Sequence, residues 1–450
     1  MEIKVSVLIY VLNNAEYIEA SVNSVRNQTL QEIEILVIDG GSRDGTLEIV
    51  ERLSKLDTRI RVIHIASGVG HQFNTALREA KGKYIGICES DDYLLPEMYE
   101  RQYEMAEKYQ LDVLRADAIH FYETKRKEEV RLPVALSKQE CLYDSVFDGR
   151  EDSSIVKLGV NSFWSGLYRR TFLLEENILM NETKGAAYQD VSFAFFTGIK
   201  AMRVMLSKDA FYCYRLDNPD SSVNAPQRMT ILIEEYGLLK ERLIEERLFE
   251  KYKEVYLTWK INSHLGFYDS LSESQRETYI KLMWQDIDKD VRRWKFSNCH
   301  FSLGEKAVIQ AVEQSVEKLT DYLKNRYLSL EQMKPELDGV SENQEVVIFG
   351  NGDMGRIVSS YLRNTRKNVV ALVDNNKEFS GKMQGELPIM KPEEAREKYP
   401  KAFYVIANVE HWEEMKEQLL GFSIDQACMA VCNHYGFFLK HILLENERFN

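Results

Sequence analysis

From Lys4 to Pro96, short apolar runs of strand length alternate with stretches in which apolar residues recur at helical spacing. Lys4 to Leu12 reads as a strand that stops at Asn13-Asn14, and Tyr17 to Val25 as an amphipathic helix. A second strand, Ile33 to Ile38, runs into Asp39-Gly40-Gly41-Ser42-Arg43-Asp44-Gly45-Thr46. The glycines there admit close backbone approach, and Thr46 is placed to cap a helix over Leu47 to Leu53. Ile60 to Ile65 is a third strand, followed by a loop with Gly68 and Gly70 and a helix from about Phe73 to Ala80; Tyr84 to Cys88 is a fourth strand. This alternation predicts a mostly parallel α/β sheet with a ligand crevice at the carboxyl ends of its strands. Asn13, Asp39, Asn74 and Asp91 all fall near such ends or in the loops after them.

The pattern changes twice further on. From Gln227 to about Met333 apolar residues keep helical spacing with few glycines or prolines, which predicts a helical connector with Trp259, Trp284 and Trp294 in its core. Lys334 to Gln344 reads as a linker. Glu345 to Phe349 is then a strand, Gly350-Asn351-Gly352-Asp353-Met354-Gly355 opens a helix over Arg356 to Leu362, and the strand Val369 to Val373 ends at Asp374. Gly350, Gly352, Gly355 and Asp374 fall in the dinucleotide-binding arrangement. Glycines serve the turn, a helix start faces phosphate, and an acid about 20 residues on faces a ribose. NAD or another nucleotide is the ligand class for such a site, although no Tyr-x-x-x-Lys pair or cysteine is placed for hydride chemistry; a structural or homo-oligomerising role is the alternative. The expected division is 1–225, 226–340 and 341–450.

Composition narrows the partners. With 450 residues, 44% hydrophobic and 29% charged, the chain is an ordinary globular protein of several domains. A net charge of -13 without a long basic block excludes a general nucleic-acid or anionic-membrane binder. Cys88, Cys141, Cys213, Cys299, Cys428 and Cys432 lack metal-ligand or disulfide spacing, so reduced cytosolic thiols are expected. No run is long enough to span a bilayer and the start does not read as a signal peptide, so the expectation is a cytoplasmic protein with at most peripheral membrane contact.

The candidate chemistry centres on Glu89-Ser90-Asp91-Asp92, which follows directly on the buried strand. Carboxylates crowded at a strand mouth repel one another unless a cation meets them, and a divalent metal bridging to a phosphate suits their hard oxygens. An acidic strand-to-helix turn at the surface is the plainer reading. Asp190, in Gly185-Ala186-Ala187-Tyr188-Gln189-Asp190, is a lone carboxylate among aromatic and small residues. It reads either as the cap of the helix Val191 to Ile199 or as a general base toward a substrate hydroxyl. Arg215 after Tyr212-Cys213-Tyr214 offers charge to a phosphate or sits on a surface strand.

The segments VSVLIYVLNN, NQTLQEIEILVIDGGSRDGT and GKYIGICESDDYLLP, in this order and spacing, resemble the motifs of family-2 glycosyltransferases of the GT-A fold, over about residues 3 to 225. The resemblance implies sugar transfer from a nucleotide diphosphate sugar with Mn or Mg, to a surface-polysaccharide, teichoic-acid-like or lipid-linked glycan. It implies that Asp39 meets the base and that Asn13 or its neighbours line the nucleotide pocket. Asp91 becomes the metal ligand, with Glu89, Ser90 and Asp92 beside it. Asp190 becomes the base of an inverting displacement, and Arg215 and Ser221 lie near the donor diphosphate. Departures occur at Tyr10-Val11-Leu12, at Gly40 and at Glu89, where the family has Pro-Val-Tyr, aspartate and aspartate. The segment VVALVDNNKEFSGKMQGELPIM resembles Rossmann-like domains that accompany sugar acyltransferases and other polysaccharide-synthesis enzymes. The rival functions are a nucleotide-sugar oxidoreductase or epimerase run by the C-terminal domain, and a non-catalytic nucleotide-sugar-binding scaffold.

Overall fold

The computed structural model describes residues 2–433 except 124–128, 138–139, 152–155, 157–161, 186, 220–227, 272, 298–299, 378 and 409–410. They fall into two compact units, Met1–Tyr256 and Leu257–Asn450.

The first unit is built on the predicted alternation. Strand β1 (Val5–Val11) is followed by α1 (Ile18–Arg26), β2 (Ile33–Asp39) by α2 (Thr46–Leu56), β3 (Ile60–His64) by α3 (Val69–Glu79), and then comes β4 (Tyr84–Ile87). After β5 (Tyr93–Leu94) and α4 (Met98–Tyr109), the long β6 (Val113–Glu123) forms a hairpin with β7 (Glu129–Val134). Strand β8 (Leu167–Arg169), α5 (Arg170–Glu175), α6 (Asp190–Lys200), β9 (Val204–Arg215) and α7 (Arg228–Glu245) complete it. Among the described residues these strands form one nine-stranded sheet, ordered β3-β2-β1-β4-β8-β6-β9-β5 with β7 beside β6. The first four strands run parallel, and Val7, Leu8, Ile9, Ile35, Leu36 and Val37 on the central pair are fully buried, as continuous apolar runs in a covered parallel sheet must be. Parallel direction brings the ends of β1, β2, β3 and β4 to one edge.

Three local expectations shift. Thr46 does not cap α2: Gly45, with φ 99°, stands at the cap, and the Thr46 amide and hydroxyl turn instead to the Asp44 carboxylate. Helix α3 begins at Val69, a turn ahead of the expected Phe73. The linker starts later than Lys334, because the helix that precedes it continues to Asp338 with Leu337 buried.

The second unit begins within α8 (Phe249–Ser270) and continues through α9 (Glu273–Arg293), α10 (Leu303–Gln314) and α11 (Val316–Asp338), with α10 packed on α9 and α11. A second sheet follows, of β10 (Glu345–Phe349), β11 (Asn368–Val373), β12 (Met383–Gln384), β13 (Leu387–Met390), β14 (Phe403–Ala407) and β15 (Met429–Cys432). Its order is β12-β13-β11-β10-β14-β15, parallel throughout except for β12. With α12 (Asp353–Asn364), α13 (Pro392–Lys398) and α14 (Trp412–Gly421) between its strands, it has the doubly wound order of a Rossmann-like sheet. Among the described residues no helix is long and apolar enough to cross a membrane.

Candidate active site

At the shared edge of β1 to β4 the chain places its acidic loop. Leu8 of β1 lies beside Ile87 of β4, so Glu89 to Asp92 emerge next to the end of β1. The Tyr10 hydroxyl donates to Glu89 Oε1 at 3.0 Å, and Asn14 Nδ2 donates to Ser90 Oγ at 2.8 Å. From the other side, the Tyr212 hydroxyl accepts from the Glu89 amide at 2.9 Å and donates to Asp92 Oδ2 at 2.7 Å. The Arg215 amide donates to Asp92 Oδ1 at 2.7 Å, so both oxygens of this buried carboxyl are spent on the fold. Asp91 keeps one oxygen on Asn218 Nδ2 at 2.7 Å. The loop is thus held by its backbone and by Asp92, while Asp91 and Glu89 remain half-exposed.

Electrostatics follow from that crowding. Burial, then the Asp91 charge, push the Glu89 carboxyl up to about 8; the Tyr10 hydrogen bond opposes this and the Asp190 charge adds to it. Burial and the charges of Asp91 and Glu89 raise Asp92 as well, against the bonds from Arg215 and Tyr212. Among the described residues no lysine or arginine side chain forms an ion pair with Glu89, Asp91 or Asp92. Arg215 lies near but is engaged elsewhere. Its Nε donates to the Asp91 carbonyl at 3.1 Å, its guanidinium meets Asp217 at 3.1 Å, and it packs over Tyr17 and Phe121 at 4.6 and 4.5 Å from the ring centres. It is a half-buried brace under the acidic loop.

Asp190 faces this loop. It is the first residue of α6, and the preceding Gln189 stands at the cap without a side-chain cap bond, so the capping alternative does not describe Asp190. Its charge acts on both Glu89 and Tyr10. Phe193, three residues on and therefore on the same helix face, packs edge-on to Phe73 at 5.0 Å, and Phe73 meets Tyr10 at 6.5 Å. That aromatic chain sets α6 against β1.

The remaining sequence-predicted residues divide. Asn13, at φ 52°, accepts from the Arg43 amide at 2.8 Å and donates its own amide to Ser42 Oγ at 2.9 Å, tying the end of β1 to the turn after β2. Asp39 is fully buried and accepts from the Gly41 and Ser42 amides at 3.1 Å each and from His64 Nδ1 at 2.7 Å. Asn74 is not brought to the carboxylates: its amide bonds Met180 in both directions, at 2.9 and 3.0 Å, and Glu182 at 3.0 Å. Ser221 lies outside the described residues. In the second unit a Cβ at Gly350, where φ is 121°, would collide with the Ala407 carbonyl, and one at Gly355 with the Gly350 carbonyl. Gly352 caps α12, and Asp374 accepts from the Asn351 and Asn376 amides at 3.0 and 2.8 Å.

Asn14, Asn218 and Glu235 escaped the sequence reading. Glu235, fully buried on α7, accepts from Asn181 Nδ2 at 2.6 Å and from the Thr183 hydroxyl, and burial followed by those bonds and the Asp190 charge leaves it pushed up to about 7. One signal was available: it sits among Leu232, Tyr236 and Leu239, a charged residue at a position the helical period assigns to the core.

Among the described residues no three His, Cys, Asp or Glu side chains converge to hold a metal by themselves. Asp91, with Glu89 beside it, offers carboxylate oxygens of the kind that hold magnesium together with a phosphate ligand.

Residues 6–173 match the pattern of Glycosyl transferase family 2. An uncharacterised glycosyltransferase of Bacillus subtilis, EpsJ, is 32% identical over 225 residues, half of this chain and 64% of its own length, so the chain spans under two thirds of that relative. The cholesterol galactosyltransferase of Borreliella burgdorferi is 27% identical over 297 residues, 64% of this chain and 79% of that protein. Among solved structures, S. aureus TarS 1–349 in complex with UDP-GlcNAc superposes with a TM-score of 0.54 at 18% identity, covering 72% of this chain and 91% of that one. Such a likeness speaks for the fold. Residues 6–173 thus resemble glycosyl transferase family 2, and they lie in a GT-A-like α/β fold.

Proposed function

We propose that the chain is a metal-dependent, inverting glycosyltransferase that moves a hexose from a nucleotide diphosphate donor, UDP-sugar favoured, to a hydroxyl of a surface-polysaccharide, teichoic-acid-like or lipid-linked glycan. The observation that carries this reading is the acidic loop that has no paired side-chain cation among the described residues, at the carboxyl edge of parallel strands, with Asp190 facing it. The UDP and UDP-GlcNAc complexes of TarS support the donor class, and the cholesterol galactosyltransferase relative supports a hydroxyl on a lipid-borne acceptor.

Asp190 takes the proton from the acceptor hydroxyl as its oxygen bonds to the anomeric carbon. The bond from that carbon to the diphosphate breaks with its electron pair leaving on the diphosphate, and the configuration inverts. A divalent Mn or Mg ion at Asp91 would supply the positive charge that a departing diphosphate needs. Asp92, Tyr212 and Arg215 hold the loop so that Asp91 need not reorganise.

The test is release of nucleoside diphosphate from UDP-, GDP-, CDP- and TDP-sugars with Mn or Mg, compared with Asp190→Asn. Turnover of one donor, lowered about 10²- to 10⁴-fold in the variant, is the expected result. No turnover of any donor together with no metal-dependent nucleotide binding would overturn the reading.

A further inference from the structure

Asp190 lies at the end of a segment gripped by two helices, and the two grips differ in kind. On α3 the grip is steric. A Cβ at Gly70 would collide with the Asn181 carbonyl, one at Gly68 would come within 2.9 Å of the Thr183 carbonyl, and the Val69 amide donates to the Gly185 carbonyl at 3.2 Å. Asn74 adds its bonds to Met180 and Glu182. On α7 the grip is polar and centres on a carboxyl. Glu235, with 0% exposure, receives Asn181 Nδ2 at 2.6 Å on one oxygen and the Thr183 hydroxyl on the other.

Both of the residues it holds lead on to Asp190. Thr183 Oγ1 accepts from Gln189 Nε2 at 3.1 Å, and Gln189 immediately precedes the base. Asn181 Nδ2 also reaches Ser192 Oγ at 2.9 Å in the first turn of α6. The hydroxyl of Thr183 can donate only once, to Glu235, which leaves its lone pair to Gln189 and fixes the direction of the chain of bonds. An apolar side chain would fill this core position at lower cost, since a buried carboxyl without a cation is expensive, so packing does not account for an acid here.

We propose that Glu235 is the positioning residue for Asp190. By accepting from Asn181 and Thr183 together, it fixes these two residues, and through them Gln189 and Ser192, in the arrangement that presents the Asp190 carboxylate to the acceptor hydroxyl. The inference rests on the base assigned to Asp190 above.

The experiment measures steady-state turnover and donor binding in the full chain for Glu235→Gln, Thr183→Val, Thr183→Ser and Asp190→Asn. Glu235→Gln and Thr183→Val should lower kcat roughly 10- to 100-fold, the scale of a misplaced catalytic group, with donor KM and nucleoside diphosphate Kd within about twofold of wild type. Thr183→Ser, which keeps the hydroxyl, should restore kcat, and the exposed neighbour changed in Glu234→Gln should leave it untouched. If Glu235→Gln does not fold, the Thr183 pair decides. Wild-type kcat in both Glu235→Gln and Thr183→Val, beside a crippled Asp190→Asn, overturns the positioning role alone. An equal loss of donor affinity also overturns it, because a general structural defect would do that. Full activity in Asp190→Asn overturns the base assignment and this inference together.

Discussion

Two clusters of buried or half-buried carboxyls sit in this chain, and their charge balance is opposite. In the second unit Asp286 and Asp290 surround Lys260, whose Nζ lies 2.8 and 2.7 Å from their oxygens, and His264 Nε2 meets Asp286 at 3.1 Å while its Nδ1 meets the Tyr279 hydroxyl at 2.6 Å. All of these side chains are buried, yet each acid has a cation or a ring nitrogen. Burial would push Asp286 up, but the His264 bond and the Lys260 charge outweigh it and hold the carboxyl well below its usual range. In the acidic loop burial and then the Asp91 charge raise Glu89 to about 8, and among the described residues no side-chain cation is paired with it to oppose them. A cluster balanced by its own chain is complete as it stands, whereas an unbalanced one is stabilised by something that arrives with charge.

The largest effect expected from this contrast is at Asp91. Asp91→Ala should lower kcat/KM by about 10³-fold, since it removes a group placed where charge develops. It should leave the melting temperature unchanged or higher, because it takes away the charge that raises both Glu89 and Asp92. Thermal unfolding run beside the donor assay reads both at once. A variant that is inactive because it is unfolded would erase the distinction between the clusters.

Lys260→Ala should do the reverse. Leaving Asp290 buried without its cation, while Asp286 keeps Lys289 and His264, costs about 3–5 kcal/mol, visible as a lower denaturation midpoint, while nucleoside diphosphate binding by the first unit keeps its affinity. Should Lys260→Ala prove as stable as wild type, the second cluster would belong with the first, as a site awaiting a ligand.

The two clusters were unequally legible in the sequence. The acidic loop stands out because a run of strand length turns at once into Glu89-Ser90-Asp91-Asp92, a contrast carried by adjacent residues. The first four strands of the first sheet are legible for the same reason, their apolar runs being local, whereas β5 to β9 are not. Lys260, His264, Asp286 and Asp290 carry no such mark, since each is one polar residue in a helical stretch and its partner lies 22 to 30 residues away. Asn218 reaches Asp91 across 127 residues and Asn181 reaches Glu235 across 54, separations that no period records. Asn74 was placed near the crevice by its position after β3, but its side chain is turned by the backbone of Met180, which only the fold brings near. Thr46 failed as a cap because Asp44, two residues back, offers its carboxylate to the same amide and hydroxyl. The acidic loop's supports were visible in part: Tyr212 and Arg215 could be named, but not that Asp92, rather than Asp91, is the oxygen pair they use.

Glu235 stands between the two clusters, buried like Asp286 but without a cation among the described residues, and its titration separates the cases by the smallest of these effects. Burial, with the charges of Asp190 and the neighbouring Glu234, raises its carboxyl from 4.5 to about 7, against the hydrogen bonds from Thr183 and Asn181. The folded chain therefore holds this proton more tightly than the unfolded chain. The associated stability is fully present below about pH 4.5 and is lost as the pH rises through about 7. At about 1.4 kcal/mol per unit the loss is about 3 kcal/mol at most. Glu235→Gln removes the titration while its altered hydrogen bonds carry no pH dependence of their own. The difference in unfolding free energy between wild type and the variant should accordingly slope against wild type across that window and flatten outside it. Adding Asp190→Asn to both chains should make the slope shallower, because the Asp190 charge is part of what holds the Glu235 carboxyl up. A flat difference from acid to neutral pH would mean that the Glu235 carboxyl titrates in the fold as it does in the unfolded chain, its two hydrogen bonds offsetting its burial.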